Sequence, residues 1–292
     1  MSDTDTDRLS SAPAVPAQGV PNCHRPATPD VPAVRHGGQV SSLPAEAGRL
    51  GGVDLRADHH APSMFSGGSG TVDQNVRAAE EAGLTRLVVV DRVTCDTDWL
   101  AAHRAVIRRA AARTDLTLCR GLETAILDTA GTLDLPADLT AVEFLAVTEH
   151  GYPLRAGPGT PADVRILLAT GMLTPAQAVE LLVGASVRAL HRAAEWAQPV
   201  LARPFGLLPE VGISEDLLTG DVLRQLAEGC LATGSAVAIN ERWRCPSPRV
   251  AATLAAAGVP LVAGSAARHP DGIGRWDYVR DIAAALAGPP AG

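Results

Sequence analysis

Acidic, basic and imidazole side chains follow each of seven short apolar segments of the sequence. Among them, Glu123, His150 and Asp58 have the chemistry to move protons, because histidine titrates near neutral pH and a neighbouring carboxylate orients its tautomer. We therefore expect these three residues to be catalytic. Other segment ends carry side chains suited to binding a substrate, which are Arg56, Arg92, Arg203, Arg268 and Asn240.

The four arginines have two interpretations, and the sequence leaves both open. A guanidinium binds phosphate or carboxylate through two parallel hydrogen bonds, so the arginines can clamp an anionic substrate. They can instead pair internally with carboxylates as a salt-bridge plug, because buried charges need partners. The sequence slightly favours the clamp, since arginines beside an acid–base pair are an unusual way to fill space. The carboxylates available for a plug are Asp58, Asp91, Glu123 and Glu149.

The remaining imidazoles and thiols are expected to have other roles. His59 and His60 follow the first apolar segment, and we expect a loop position at the rim for either one rather than catalysis. His103 and His191 fall within amphipathic stretches, so we interpret both as structural. Cys119 lies in an apolar segment and is expected to be buried and inert.

Alternating apolar and amphipathic segments from residue 51 onward predict the elements that position these side chains. Seven strands are expected, at 52–57, 86–90, 116–120, 143–148, 200–202, 235–239 and 260–263. Seven helices are expected between and after them, at 72–82, 97–113, 161–170, 175–197, 214–233, 248–257 and 278–287. This alternation is typical of an α/β barrel with parallel strands and outer helices, whose strand ends meet at one face. Residues 151–160 interrupt the rhythm and form either a loop over the barrel mouth or a plain connector.

Short motifs along residues 52–285 resemble, in order, those of the polymerase-and-histidinol-phosphatase (PHP) family. Glu123 stands in a Gly-x-Glu motif like the family's metal-bridging glutamate, and His150 is similar to a ligand histidine at a strand end. Asn240 ends Ala-Ile-Asn, which resembles the family's Glu-Ile-Asn. The frame of the first motif is kept at Asp54, Leu55, Ser66, Gly68, Gly70 and Thr71.

Most ligand positions of these motifs are replaced. Arginine stands at four histidine positions, Asp58 stands at a fifth, and Ala266 replaces an aspartate. The arginines concerned are Arg56, Arg92, Arg203 and Arg268. A guanidinium has no lone pair for a metal, and several cations together repel a divalent ion.

The resemblance implies a PHP-like distorted (β/α)7 barrel, in a family that hydrolyses phosphoesters with two or three divalent metals. With the ligands replaced, we expect no cofactor and metal-independent acid–base chemistry, namely hydrolysis, elimination or cyclisation of a small anionic substrate. Two alternatives stay open. One is a phosphoesterase that keeps a single divalent metal on Glu123, His150 and Asp58. The other is a non-catalytic, ligand-binding relic of the fold.

Composition limits the possible domain boundaries, partners and cellular location of the protein. Residues 1–50 are rich in Pro, Ala, Ser and Gly and predict a disordered tail, with the barrel domain at 51–292. The net charge of −7 does not favour a nucleic-acid partner. No apolar run approaches the roughly 18 residues of a membrane span, and the N-terminus has no secretory h-region. Five cysteines without a Cys-x-x-Cys pair fit a reducing compartment, so we expect a cytoplasmic protein.

Overall fold

The structure is a computed structural model that describes residues 48–288. Seven parallel strands form one sheet, and their order in space follows their order in the chain. The first and last strands also meet, because the Ala266 N–H donates to the His60 carbonyl across 2.8 Å. The sheet is therefore a nearly closed, distorted (β/α)7 barrel, as predicted. The strands are Ala57–Ala61 (β1), Arg86–Arg92 (β2), Thr117–Ala125 (β3), Phe144–Thr148 (β4), Gln198–Leu201 (β5), Ala236–Asn240 (β6) and Leu261–Gly264 (β7).

Helices surround the barrel and mostly begin at the capping residues that the sequence contains. Thr71, Thr160 and Thr174 each accept a hydrogen bond from the third residue of their helix, which satisfies an otherwise unpaired N–H. The α-helices within residues 48–288 are Val72–Glu81 (α1), Leu100–Ala111 (α2), Pro161–Ala169 (α3), Pro175–Ala193 (α4), Gly220–Thr233 (α5), Pro248–Ala256 (α6) and Tyr278–Ala287 (α7). Within that range none is both long and apolar enough to cross a membrane.

Helix α5 begins later than predicted. Ser214 caps a short 3₁₀-helix, Glu215–Leu217, and α5 starts only at Gly220. Two further 3₁₀-helices are Pro209–Val211 and Pro270–Gly272. A helical segment therefore does begin at Ser214, but it is a separate turn that precedes α5.

Alternate side chains of the strands face either the helices or the barrel interior. On β2, Leu87 and Val89 pack with residues of α1 and α2. Val88 and Val90 instead pack with side chains from β3 and β4 and with Ala202. The interior is narrow, because a Cβ at Gly121 would lie 2.8 Å from Val90 Cγ2. Small side chains thus fill the barrel, which explains how a chain with 3% aromatic residues builds this core.

The first barrel strand lies later in the chain than predicted. Residues 52–57 do not form it, and Val53–Asp54 pair instead with Arg49–Leu50 in an antiparallel hairpin. Arg56 consequently precedes the barrel strand, and His60 is a buried residue within it. The prediction of a loop position is wrong for both His59 and His60, which lie within β1. The apolar pattern failed here because β1 is polar in its centre, where Asp58 is held by Ser265 and His60 by Glu123.

The stretch after β4 is ordered as a second small hairpin. Tyr152–Leu154 pair antiparallel with Gly157–Gly159, and the Tyr152 side chain is buried. Residues 151–160, predicted as a loop or a connector, therefore contain a short β-hairpin. Most of the predicted tail, residues 1–47, lies outside the described residues, while Arg49–Leu50 belong to the first hairpin.

Candidate active site

A cavity of about 500 Å³ opens where the carboxyl ends of the strands meet. This is the face at which barrel enzymes build their sites, because the loops after the strands converge there. Six of the residues predicted for the site line the cavity, and Arg56 and Asp58 do not. The six are Glu123, His150, Arg92, Arg203, Arg268 and Asn240.

Two histidines share one carboxylate at the floor of this cavity. His60 Nε2 lies 2.8 Å from Glu123 Oε2, and His150 Nε2 lies 2.5 Å from Glu123 Oε1. His60 comes from β1, Glu123 from β3, and His150 from just after β4. The side chain of His150 is 25% exposed, against 6% for His60 and 13% for Glu123. His150 is therefore the member of this group that solvent or a substrate reaches most easily.

The shared carboxylate is ionised at neutral pH. Burial acts to raise the pKa of Glu123, but the hydrogen bonds from His150 and His60 outweigh it and hold that pKa well below its usual range. Burial likewise acts to lower the pKa of His60, and the hydrogen bond and charge of Glu123 reverse this and raise it. Since an ionised carboxylate can only accept, each ring presents its Nε2–H to Glu123.

Asp58 has a structural position rather than a place in the cavity. Its Oδ1 accepts the backbone N–H groups of His60 and Ser265, both at 3.0 Å, so it joins β1 to the loop after β7. The side chain is fully buried, and burial is the main cause of its raised pKa. The structure therefore does not assemble Asp58 with Glu123 and His150.

Asp91 lies at the centre of a buried hydrogen-bond chain beneath the cavity. Its carboxylate accepts from the Ser63 and Ser66 hydroxyls, both at 2.6 Å, and from His103 Nε2 at 3.1 Å. His103 Nδ1 in turn accepts from Arg120 Nε at 3.2 Å, which fixes the neutral tautomer. This series of hydrogen bonds connects the loop after β1 to β2 and α2. The expectation that His103 is structural agrees with this burial.

Arg203 is the most buried of the arginines in the cavity wall. Its Nη2 donates to Glu210 and to the Gly206 carbonyl, and its Cζ lies 3.6 Å from the centre of the Trp243 ring. The aromatic face and the two acceptors hold the guanidinium in place. Sequence reasoning did not single out Trp243 or its neighbour Arg242, which also lines the cavity. Both follow β6 directly, in the strand-end position that identified the other candidates.

The internal plug requires ion pairs that are not found in residues 48–288. Asp58 and Asp91 are held by backbone, hydroxyl and imidazole groups, and Glu123 is held by two histidines. Arg203 does form an ion pair, but with Glu210, whose side chain is 41% exposed. The arginines therefore face the cavity without being neutralised by the carboxylates considered for a plug.

Glu149 is buried behind Arg203 and is not an ordinary carboxylate. Burial raises its pKa to about 8, although the charge of Arg203 and a hydrogen bond from Ser186 act to lower it. Its Oε2 has no hydrogen-bond partner within residues 48–288, and the same holds for the Tyr152 hydroxyl. At neutral pH most of Glu149 is consequently protonated and does not cancel the charge of Arg203.

The two or three metals of the PHP family do not fit the residues of this cavity. Within the described part of the chain, no group of three or more His, Cys, Asp or Glu side chains is arranged to hold a metal ion. His60 and His150 direct their Nε2 atoms at the oxygens of Glu123. Arg92, Arg203, Arg242 and Arg268 line the same cavity.

Comparison with known proteins gives no family for the chain. No family model and no curated protein matches it. Among solved structures, it is similar to dihydropyrimidinase from Brevibacillus agri NCHU1002, with 14% identity, a TM-score of 0.34, and coverage of 67% of this chain and 47% of that one. It is also similar to N-isopropylammelide isopropylaminohydrolase from Burkholderia multivorans ATCC 17616, with 20% identity, a TM-score of 0.36, and coverage of 68% and 53%.

A third similar structure is a GH5-4 broad specificity endoglucanase from Clostridium acetobutylicum, with 11% identity and a TM-score of 0.35. That alignment covers 80% of this chain and 97% of the endoglucanase. The chain spans only about half the length of the dihydropyrimidinase and the aminohydrolase. With TM-scores this low, the likeness carries no information about activity.

Proposed function

We propose that the protein is an enzyme that acts on a small anionic substrate by acid–base catalysis without a metal. The observation that carries this proposal is the Glu123 carboxylate shared by His60 and His150 in a cavity whose arginines are not neutralised by its buried acids. Phosphate and carboxylate are the anions that such guanidinium groups bind. Hydrolysis, elimination and cyclisation all require only proton transfer and charge stabilisation of this kind.

In this proposal His150 exchanges the proton with the substrate. Its Nε2–H is held by Glu123, so Nδ1 is the ring nitrogen that is left for a reacting group. Glu123 orients the ring and stabilises the imidazolium when Nδ1 takes up a proton. His60 holds the other oxygen of Glu123 at 2.8 Å and keeps the carboxylate ionised.

The arginines bind the substrate and stabilise negative charge that develops during the reaction. Arg92 and Arg268 are exposed at the cavity and have no side-chain hydrogen bond or ion pair within residues 48–288. Asn240 is fixed from below by its hydrogen bond to the Ala202 carbonyl, at 2.9 Å. A cation without an internal partner is available to an anion without first breaking a bond, which favours substrate binding.

We also propose that the chain descends from PHP proteins, with a metal site converted to an arginine site. The ordered motifs around Glu123 and His150 support this descent. The position of His60 adds to it, since Asp58-x-His60 reproduces the start of the family's Asp-x-His motif four residues after the frame at Asp54. A cytoplasmic location remains part of this proposal and follows from the cysteine content.

Anion binding is tested with the exposed Arg268. Phosphate and sulfate should raise the melting temperature of the wild type, because a ligand that binds only the folded state stabilises it by mass action. Arg268→Met should leave the melting temperature without anion nearly unchanged and reduce the anion-dependent shift. The matched control is Arg224→Met, which removes an exposed arginine of α5 that pairs with Asp221. An equal shift in all three proteins would count against the clamp.

Catalysis is tested with small phosphate- and carboxylate-bearing esters, amides and hydroxy acids, in the presence of a chelator. Glu123→Gln should lower the turnover number by about 10²–10⁴-fold, the usual contribution of an acid–base group. Turnover that the chelator abolishes would instead support a phosphoesterase with a retained metal. Tight anion binding without any turnover across the panel would support a non-catalytic binding protein.

A further inference from the structure

Aromatic side chains line part of the cavity. The whole chain has four Trp, two Tyr and three Phe. Two of the Trp and one of the Phe line this single cavity, at Phe65, Trp99 and Trp243. Four other aromatic side chains, Tyr152, Phe205, Trp276 and Tyr278, are buried in the core, whereas Phe65 and Trp99 are half-buried and Trp243 is exposed at the cavity. Their position suggests a role towards the ligand.

Phe65 and Trp99 form a fixed aromatic wall. Their ring centroids are 5.3 Å apart, and the rings are inclined by 40°. Both rings also contact the His103 ring edge-on, at 5.2 and 5.3 Å. Because His103 is buried and held by Asp91, the wall is set before any ligand enters. Such a prearranged apolar surface binds a flat ring with little loss of side-chain entropy.

The cations occupy another part of the rim. Arg203, Arg242 and Arg268 follow β5, β6 and β7, which are consecutive strands of the barrel. Burial and the charges of Arg268 and Arg203 lower the pKa of Arg242, as expected for guanidinium groups crowded together. Trp243 lies among them with 45% of its surface exposed and with Arg203 over its ring.

Strand order places the acid–base group between these two regions. Phe65 follows β1 and Trp99 follows β2, whereas Glu123 and His150 belong to the ends of β3 and β4. On one side of the closed mouth the acid–base group therefore separates the aromatic wall from the arginines. On the other side Arg268 lies next to the loop after β1, where its carbonyl accepts the Ser69 N–H across 2.7 Å. A ligand bound between the wall and the arginines therefore lies within the same mouth as Glu123 and His150.

We propose that the substrate carries both an anionic group and a flat aromatic or heteroaromatic ring. The anionic group binds to Arg203, Arg242 and Arg268, the ring lies against Phe65 and Trp99, and the reacting bond lies between them. The anionic group thus contributes to binding and is not the group that reacts. This inference rests on the proposed function, because it uses the same arginines and the same acid–base group.

The test compares ligands that differ only in the ring. Binding to the full chain is measured by calorimetry for phenyl phosphate against glycerol phosphate, for benzoate against acetate, and for inorganic phosphate. In at least one pair the aromatic ligand should bind about tenfold more tightly, the effect expected of one good aromatic contact. Trp99→Leu and Phe65→Leu keep an apolar side chain but remove the aromatic face. Each should lower the affinity for the aromatic ligand about fivefold and leave that for inorganic phosphate unchanged.

The matched control is Trp196→Leu, since Trp196 follows α4 and does not line the cavity. If neither aromatic ligand binds more tightly than its partner, or if the two variants weaken inorganic phosphate equally, the ring-binding inference is wrong. That result leaves the proposed function standing as long as inorganic phosphate binds and Arg268→Met weakens it. If no anion binds to the wild type, both proposals are wrong.

Discussion

His103 donates its Nε2–H to Asp91 Oδ2 across 3.1 Å, and both side chains are fully buried. The pair lies directly behind the aromatic wall and beneath the loop after β1. Burial acts to raise the pKa of Asp91, but hydrogen bonds from His103, Ser63 and Ser66 outweigh it and lower that pKa. A buried carboxylate of this kind depends on its donors for stability.

Replacing His103 by Ala should destabilise the fold by about 3 kcal/mol at pH 7, because Asp91 and Arg120 both lose a buried partner. Because the folded-state pKa of Asp91 is lowered, its hydrogen bonds contribute stability above the unfolded pKa of about 3.9, and this contribution disappears as the pH falls. The difference between wild type and variant should therefore shrink at pH 3. Urea unfolding of the wild type and the variant at pH 7 and pH 3 measures this difference in stability. His191→Ala, an exposed position of α4, should change stability by less than about 0.5 kcal/mol.

The group of Glu123, His60 and His150 should give a stability contribution with a defined pH window. The pKa of Glu123 is lowered in the folded state, so its contribution is complete above about pH 4.3 and is lost as the pH falls towards the folded pKa. The pKa of His60 is raised, so its contribution is complete below about pH 6.5 and is lost as the pH rises through the folded pKa. The free energy of unfolding of the wild type should thus exceed that of Glu123→Gln by the largest amount between these two pH values. Unfolding free energies at pH 3, 5.5 and 9 check this, and a difference that grows from pH 5.5 to 9 would contradict it.

Glu149 should make the protein less stable as the pH rises. Its pKa is raised to about 8, so between about pH 4.5 and 8 the folded state holds a proton that the unfolded state has released. Stability therefore falls across this range in the wild type. Glu149→Gln should reduce this slope and be more stable than the wild type at pH 9 by about 2–4 kcal/mol. Glu228→Gln, at an exposed position of α5, should leave the slope unchanged. Thermal unfolding of the three proteins across pH 5–9 tests this.

The barrel was predictable because its strands are short apolar runs between amphipathic segments. Strands β2 and β4 begin within one residue of the predicted positions, and α7 matches at both ends. Strand ends then identified Glu123, His150 and four of the five binding candidates as cavity residues. The inference holds because parallel strands must bring their carboxyl ends to one face, whatever the details of packing.

The role of β1 was not predictable from local patterns. Only Ala57 and Ala61 are apolar in this strand, and its centre carries Asp58 and His60. The partner that satisfies Asp58 is the N–H of Ser265, 207 residues away, and the partner of His60 is Glu123 on another strand. A short apolar run at 52–57 gave the stronger local signal. Long-range hydrogen bonds, which no window of sequence contains, decided which segment enters the barrel.

The final prediction concerns Arg203 and separates a substrate clamp from a plug. Its ion-pair partner Glu210 is partly exposed and can be solvated, and Glu149 behind it is mostly neutral at pH 7. Arg203→Met should therefore cost only about 1 kcal/mol at pH 7, the range of a partly exposed pair. Phosphate should protect the variant less than the wild type in a thermal shift experiment.

The same variant should behave differently at alkaline pH. Above about pH 8 Glu149 ionises, and the charge of Arg203 is among the interactions that then stabilise it. Arg203→Met should consequently become more destabilising at pH 9 than at pH 7, and the added loss should vanish in the double variant with Glu149→Gln. A loss of roughly 3–5 kcal/mol already at pH 7, together with no protection of the wild type by phosphate, would be the behaviour of a buried plug. In that case the arginines are structural, and the non-catalytic alternative becomes the better description.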